Sequence, residues 1–172
     1  ALALQDWLSD YDLDKGNDNY MAYYTAQNPP YYPSHQLMKS ASEFRLIKGV
    51  TAKMNDTVQP YITVLPESTP ININSAAKKI LASLGNGLDE HQLEELVTAR
   101  GKGFKTMKKV TPLLQKFNIP NNQIAIESTY FLSKAEAKNE DFSLTVYVLL
   151  KREKSPKGKI KVSVVRESFN SF

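Results

Sequence analysis

Apolar positions recur every three or four residues between positions 75 and 117, then alternate or run together in short extended stretches from 123 to 166. The chain therefore changes period near Pro120. Ala76, Ile80, Leu81 and Leu84 repeat at helical spacing behind Asn74 or Ser75, either of which can accept a hydrogen bond from a free amide at a helix start. Gly85-Asn86-Gly87 stops that helix. Asp89 with Gln92 three residues on predicts a second helix closed by a capping box, with Leu88 and Leu93 as a staple over its start and Gly101 as its stop. Its inner face is Leu93, Leu96 and Val97. Thr111-Pro112 reads as the cap and first position of a third helix that buries Leu113, Leu114 and Phe117. Beyond residue 120, segments 123–132, 142–152 and 159–166 are rich in Ile, Val, Tyr and Phe. They predict an antiparallel sheet with turns at Asn139-Glu140-Asp141 and Pro156-Lys157-Gly158.

With 172 residues, 41% of them hydrophobic, the chain can bury a core without cross-links, as one domain or two intimate ones. Zero cysteines neither require nor exclude an oxidising compartment. The net charge of +4 conceals an asymmetry. Residues 1–19 hold five aspartates against the single cation Lys15, whereas fifteen Lys and Arg face six acids from Arg100 onward. A basic half suits nucleic acid or acidic lipid. Here six of its cations, Lys151, Arg152, Lys154, Lys157, Lys159 and Lys161, flank the second hairpin turn, where charge guards sheet edges against unwanted strand addition.

Tyr20, Tyr23, Tyr24, Tyr31 and Tyr32, interleaved with Pro29, Pro30 and Pro33, form a cluster suited to packing and equally to a recognition surface. Tyr20 and Tyr24, four apart, can anchor one helix. Asp10, Asp12, Asp14 and Gly16 are the one suggestion of a metal site, since alternating carboxylates in a loop can converge on calcium. Read as an EF-hand the glycine is one position late, and Met21 stands where a bidentate Glu is required, so a solvated acidic loop is the plainer assignment. Calcium is the one candidate cofactor. His35 and His91 stand apart and read as surface or cap residues. With no cysteine nucleophile, no Gly-x-Ser-x-Gly elbow and no phosphate-cradling Gly-Lys-Ser/Thr loop, the chain is expected not to be an enzyme.

The two helices around Gly85-Asn86-Gly87 resemble a helix-hairpin-helix, which grips DNA phosphates with turn amides and a helix start. The second helix opens with Asp89 and Glu90 and carries Glu94 and Glu95, so phosphate would meet like charge. Lys102, Lys105, Lys108 and Lys109 lie beyond the helix, away from the turn. A small helical packing unit is favoured, with DNA binding or uptake as the competing function.

The flanks carry a second resemblance: Ala1 to Asp12, Asn17-Asp18-Asn19-Tyr20, Pro29-Pro30-Tyr31-Tyr32, Ser42 to Val50, Leu65-Pro66, Ile71 to Ala76, Arg100 to Phe104 and Ser128 to Leu132. In this order they resemble the K-type minor pseudopilins of the type II secretion system (general secretion pathway protein K), over nearly the whole chain. The resemblance implies an α+β fold in which a pilin-like N-terminal helix packs on an antiparallel sheet, with a large inserted all-α domain containing the helix-hairpin-helix-like unit. Residues 1–17 and 121–172 are then the pilin-like part and 18–120 the insert. It also implies a leader and an apolar N-terminal anchor in the inner membrane. The longest strongly apolar run here, Leu144 to Leu150, is far shorter than the roughly twenty residues of a spanning helix, so Ala1 to Leu8 reads as the last turns of such a helix. Ala1, Leu4 and Leu8 share one of its faces and are the candidate partner interface. The implied role is a non-catalytic subunit at the tip of a periplasmic pseudopilus in a Gram-negative bacterium. Its implied partners are the I-type and J-type minor pseudopilins, with secreted substrate as a further contact, no nucleic acid, and membrane contact only through the absent helix.

Overall fold

A computed structural model describes residues 2–11, 14 and 19–169. Residues up to Ser68 form one compact unit and Thr69–Phe172 a second.

Among the described residues the first unit holds three short helices, α1 (Leu2–Leu8), α2 (Met21–Thr25) and α3 (Ala52–Val58), with 3-10 turns at Ala41–Leu46 and Gln59–Tyr61. None is long enough to persist alone in water. Side-chain packing holds them. Trp7, Tyr24 and Ile47 form the buried centre, with Leu4, Leu8, Tyr20, Tyr23, Tyr31 and Phe44 half-buried against it. Trp7 meets Tyr24 edge to face at 5.4 Å, and Tyr24 meets Tyr31 at 5.4 Å, geometries the ring quadrupoles favour. Burial pushes the hydroxyls of Tyr24 and Tyr31 above the usual tyrosine range, although the Lys48 amide donates to the Tyr24 oxygen and partly offsets this. The tyrosines thus serve mainly as core, with Tyr32 left exposed. Ser40 and Glu43 close a capping box on the 3-10 turn that follows, a local signal the sequence reading overlooked.

In the second unit β1 (Ile71–Asn72) pairs in parallel with β2 (Ile124–Ala125), bracketing α4 (Lys78–Ala82), α5 (Glu90–Arg100) and α6 (Met107–Lys116). Ile73, Leu81, Leu96, Val110, Leu114 and Phe117 are at the centre of their shared core. The Asp89–Gln92 capping box forms as expected, Leu88 and Leu93 both pack on the core, and Gly101 ends α5 at φ +45°, where a Cβ would be strained.

Two expected helix starts are corrected. The first helix begins at Lys78, not at Asn74 or Ser75. The Asn72 side chain accepts from the Asn74 amide, and the Ser75 and Ala76 amides fold back onto the Asn72 carbonyl, so these residues form a turn. The third helix begins after Thr106, placing Pro112 inside it. Val110 and Leu114 are fully buried on either side of Pro112, so packing overrides the lost amide. The carbonyl deprived of that amide is that of Lys108, while the neighbouring Met107 carbonyl accepts from the Thr111 hydroxyl at 3.0 Å.

Segment 123–132 is likewise not one strand. Its start pairs with β1, and β3 (Tyr130–Lys138) begins a separate antiparallel meander with β4 (Ser143–Lys154) and β5 (Ile160–Phe169), ordered β3-β4-β5. The Asn139 carboxamide accepts from the Asp141 and Phe142 amides in the first turn, and Gly158 at φ +78° supports the second.

Candidate interaction surfaces

The helical module of the second unit is tied together by polar side chains with little left for a ligand. Asn74 Nδ2 donates to the carbonyls of Phe104 and Ile126, both at 3.0 Å, while Oδ1 accepts from the Phe104 amide at 2.7 Å. Gly103 approaches so closely that an added Cβ would lie 3.4 Å from Asn74 Oδ1, at φ +104°. Arg100 Nη1 donates to the carbonyls of Ile73 and Ala76, so the last cation of α5 is spent on its own chain. Lys116 pairs with Glu95 at 2.6 Å on the surface. The glycines of the Gly85-Asn86-Gly87 turn have positive φ, but an acidic helix follows them.

At the acidic opening Asp10 and Asp14 are exposed, and Asp12 lies outside the described residues. Among the described residues no three carboxylate or imidazole groups gather around a common point. One atom there invites a cation. Asp6 is 9% exposed and its Oδ2 is buried without a hydrogen-bond partner, while Asn19 reaches only Oδ1, at 3.5 Å. Leu2, Gln5, Asp6, Ser9, Asn19 and Tyr20 line an open pocket of about 600 Å³ beside it. His35 offers Nδ1 to the Ser9 carbonyl at 3.0 Å and stacks on Tyr11, and His91 sits in the first turn of α5.

Of the candidate partner residues, Ala1 is outside the described set. Leu4 and Leu8 are half-buried against Trp7, Tyr24 and Ile47, so much of that face is occupied within the first unit, while Leu2 is exposed.

The meander presents a different kind of surface. Strand alternation and register place Phe131, Ser133, Ala135 and Ala137 of β3, Leu144, Val146, Val148 and Leu150 of β4, and Ile160, Val162, Val164 and Phe169 of β5 on one side. Phe131, Ile160, Val162, Val164 and Phe169 are all exposed. The other side carries Lys134, Glu136, Lys138, Lys151 and Lys161. At the Phe131 end, Arg152 lies over that ring, with its guanidinium held by Glu127 and the Ser128 carbonyl. A contiguous exposed apolar sheet face of this kind marks a surface built to be covered. The sequence alone predicts a sheet covered by the N-terminal helix and does not identify a bare side.

Comparisons with known proteins agree with this architecture. Two models of type II secretion system protein K match residues 1–67 and 71–129. A type II secretion system protein K of Pseudomonas aeruginosa is 30% identical over 166 residues, covering 92% of this chain and 48% of its own length. The Aeromonas hydrophila protein K is 30% identical over 152 residues, with 81% and 45% covered. The chain thus spans about half the length of the curated relatives it matches. Among solved structures, the GspK-GspI-GspJ complex from the enterotoxigenic Escherichia coli type 2 secretion system contains a chain that superposes with a TM-score of 0.69 at 17% identity, over 99% of this chain and 62% of that one.

Proposed function

Since the chain belongs to the type II secretion system protein K family, we propose that it is the periplasmic part of a non-catalytic minor pseudopilin that caps or initiates the tip of the pseudopilus. In that role it supports export of folded proteins across the outer membrane. The observation that carries this reading is the bare apolar side of the β3-β4-β5 meander, the surface a pilin-like subunit reserves for a long helix. No described helix is long and apolar enough to cross a membrane. On the family reading, a covering helix that also anchors the protein in the inner membrane is proposed elsewhere in the protein. The helical modules are the proposed insert, and an insert that obstructs a further subunit from stacking would end the fibre.

The domain division expected from sequence is proposed in shifted form. Residues 121–172 stay pilin-like and 18–120 the insert, while the packing of Leu4 and Leu8 against Trp7, Tyr24 and Ile47 favours grouping Leu2–Leu8 with the insert.

I-type and J-type minor pseudopilins are the proposed partners. Mixed at micromolar concentration, the three are expected to co-elute on gel filtration, and three separate peaks would refute the tip assignment. The competing DNA-binding reading finds no support, because the turn-facing helix is acidic and Arg100 is bonded to its own backbone. The chain is expected to leave duplex DNA unshifted even near 50 mM salt, where phosphate contacts are strongest.

A calcium ion is proposed at the acidic opening, with Asp10, Asp12 and Asp14 as the carboxylates expected from sequence and Asp6 as a further one. The orphaned Asp6 oxygen supports this, since a buried carboxylate without a donor is stabilised by a cation. Calcium at a hundredfold excess over Kd is expected to stabilise the fold by about 2.7 kcal/mol, raising Tm by several degrees. Asp6→Asn should remove most of the rise. An unchanged Tm at millimolar calcium would eliminate the site.

A further inference from the structure

Besides Arg152 and Lys154 near the second hairpin turn, the bare side of the meander carries one further charge, in the middle of its apolar rows. Along β5, Ile160, Val162 and Val164 alternate onto the apolar side, opposite Lys154, Arg152 and Leu150. Continued alternation would send Arg166 there and Glu167 to the charged side. Between Leu149 and Leu150 the register shifts by one residue, so Arg166 pairs with Leu149 and Glu167 with Val148. Val165 is the extra residue of this bulge, and parity flips behind it. The flip delivers Glu167 to the central row Ser133–Val148–Glu167, between Val164 and Phe169. Glu167 is exposed, and among the described residues no ion pair or side-chain hydrogen bond engages its carboxylate.

Three strands set about 4.8 Å apart span about 10 Å, the width of one helix. The nine paired residues of β3 run about 30 Å, the length of about 20 helical residues. The small residues Ser133, Ala135 and Ala137 on β3 leave a trough beside the larger β4 side chains, so a helix can seat closely. Covering Glu167 without a partner would strand a carboxylate in apolar surroundings, at a cost far above the worth of any neighbouring apolar contact.

We propose that the apolar face of the β3-β4-β5 meander accepts a single apolar helix bearing an arginine or lysine at its middle, and that Glu167 reads that cation and so fixes the helix register and excludes helices with an acid there. The proposal rests on reading the sheet as helix-covered and adds the chemistry of the cover. Arg152 supplies a boundary at one end, because its guanidinium is already committed to Glu127 and the Ser128 carbonyl.

The test uses three synthetic helical peptides of about 20 residues with one Leu/Ala face and Arg, Leu or Glu at its central position, titrated against the 172-residue chain by fluorescence anisotropy. The Arg peptide is expected to bind at least tenfold tighter than the Leu peptide, and the Glu peptide weakest. Glu167→Gln should erase the advantage of Arg over Leu while leaving Leu-peptide binding intact, and Glu167→Arg should make the Glu peptide the preferred one. Val164→Asp should weaken all three. An Arg preference that survives Glu167→Gln, equal binding of all three peptides, or binding of none would overturn the proposal. The same holds if Glu167→Gln changes only self-association of the chain, because Glu167 would then be an edge guard. Failure here leaves co-elution with the I-type and J-type partners unaffected, and separate peaks in that experiment leave peptide discrimination standing.

Discussion

Tyr24→Ala is expected to destabilise the first unit by about 3–5 kcal/mol, the cost of removing a large aromatic from a packed core. Tyr24 is fully buried and touches Trp7, Tyr23 and Tyr31 ring to ring, so its loss opens a cavity that three rigid neighbours cannot close. The amide of Lys48 also loses its acceptor. A loss of this size is comparable with the whole stability of a domain of about 70 residues, roughly 5 kcal/mol. Trp7 is the only tryptophan and sits against Tyr24, so its emission reports the event directly. Red-shifted Trp7 emission and an early denaturant midpoint are expected for Tyr24→Ala. Tyr24→Phe keeps the ring and removes only the hydroxyl, for a cost of about 1 kcal/mol. A Tyr24→Ala chain that keeps native Trp7 emission and loses under 1 kcal/mol would show that the aromatic centre does not hold this unit together.

The same pair of aromatics marks the limit of what could be read from sequence. The tyrosine cluster and its helical spacing were legible, but nothing local pairs Trp7 with Tyr24, because their contact forms only when the chain closes over residues 8–23. Devices confined to a few residues were readable for the opposite reason. The Asp89–Gln92 box, the Gly101 stop and the Asn139 and Gly158 turns act through neighbours in the chain, and all four appear where expected. Pro112 was read as a helix start because its local preference is strong, yet the fully buried Val110 and Leu114 flanking it outweigh that preference. Alternation from 159 to 164 predicted β5 correctly as far as Val164, where the bulge reverses the faces without any Gly or Pro to announce it. Glu167, which carries the specificity proposal, was invisible for that reason. The family itself was legible in the ordered flanking segments, whereas Asp6, the cation candidate, was one aspartate among five until its burial singled it out.

Asn74→Ala is expected to cost the second unit about 3 kcal/mol, because three backbone groups lose their partner at once. The asparagine was read as a helix cap; instead its carboxamide reaches residues 30 and 52 positions away, tying the Phe104 amide and carbonyl to the Ile126 carbonyl. Asn74→Asp separates this bridge from simple loss of volume. The new carboxylate oxygen would face the Phe104 and Ile126 carbonyls in place of a donor, which favours its protonated form and raises its folded pKa above the ordinary aspartate value near 3.9. A group whose pKa is raised on folding contributes stability below its unfolded pKa and loses that contribution as pH rises through the folded value. Asn74→Asp should therefore lie closest to the native chain at about pH 4, where a protonated carboxyl can donate to one carbonyl, and fall behind it toward pH 7. Urea midpoints for the native chain, Asn74→Ala and Asn74→Asp at both pH values test this. A pH-independent gap between Asn74→Asp and the native chain would mean that the side chain fills space at this junction without bonding across it.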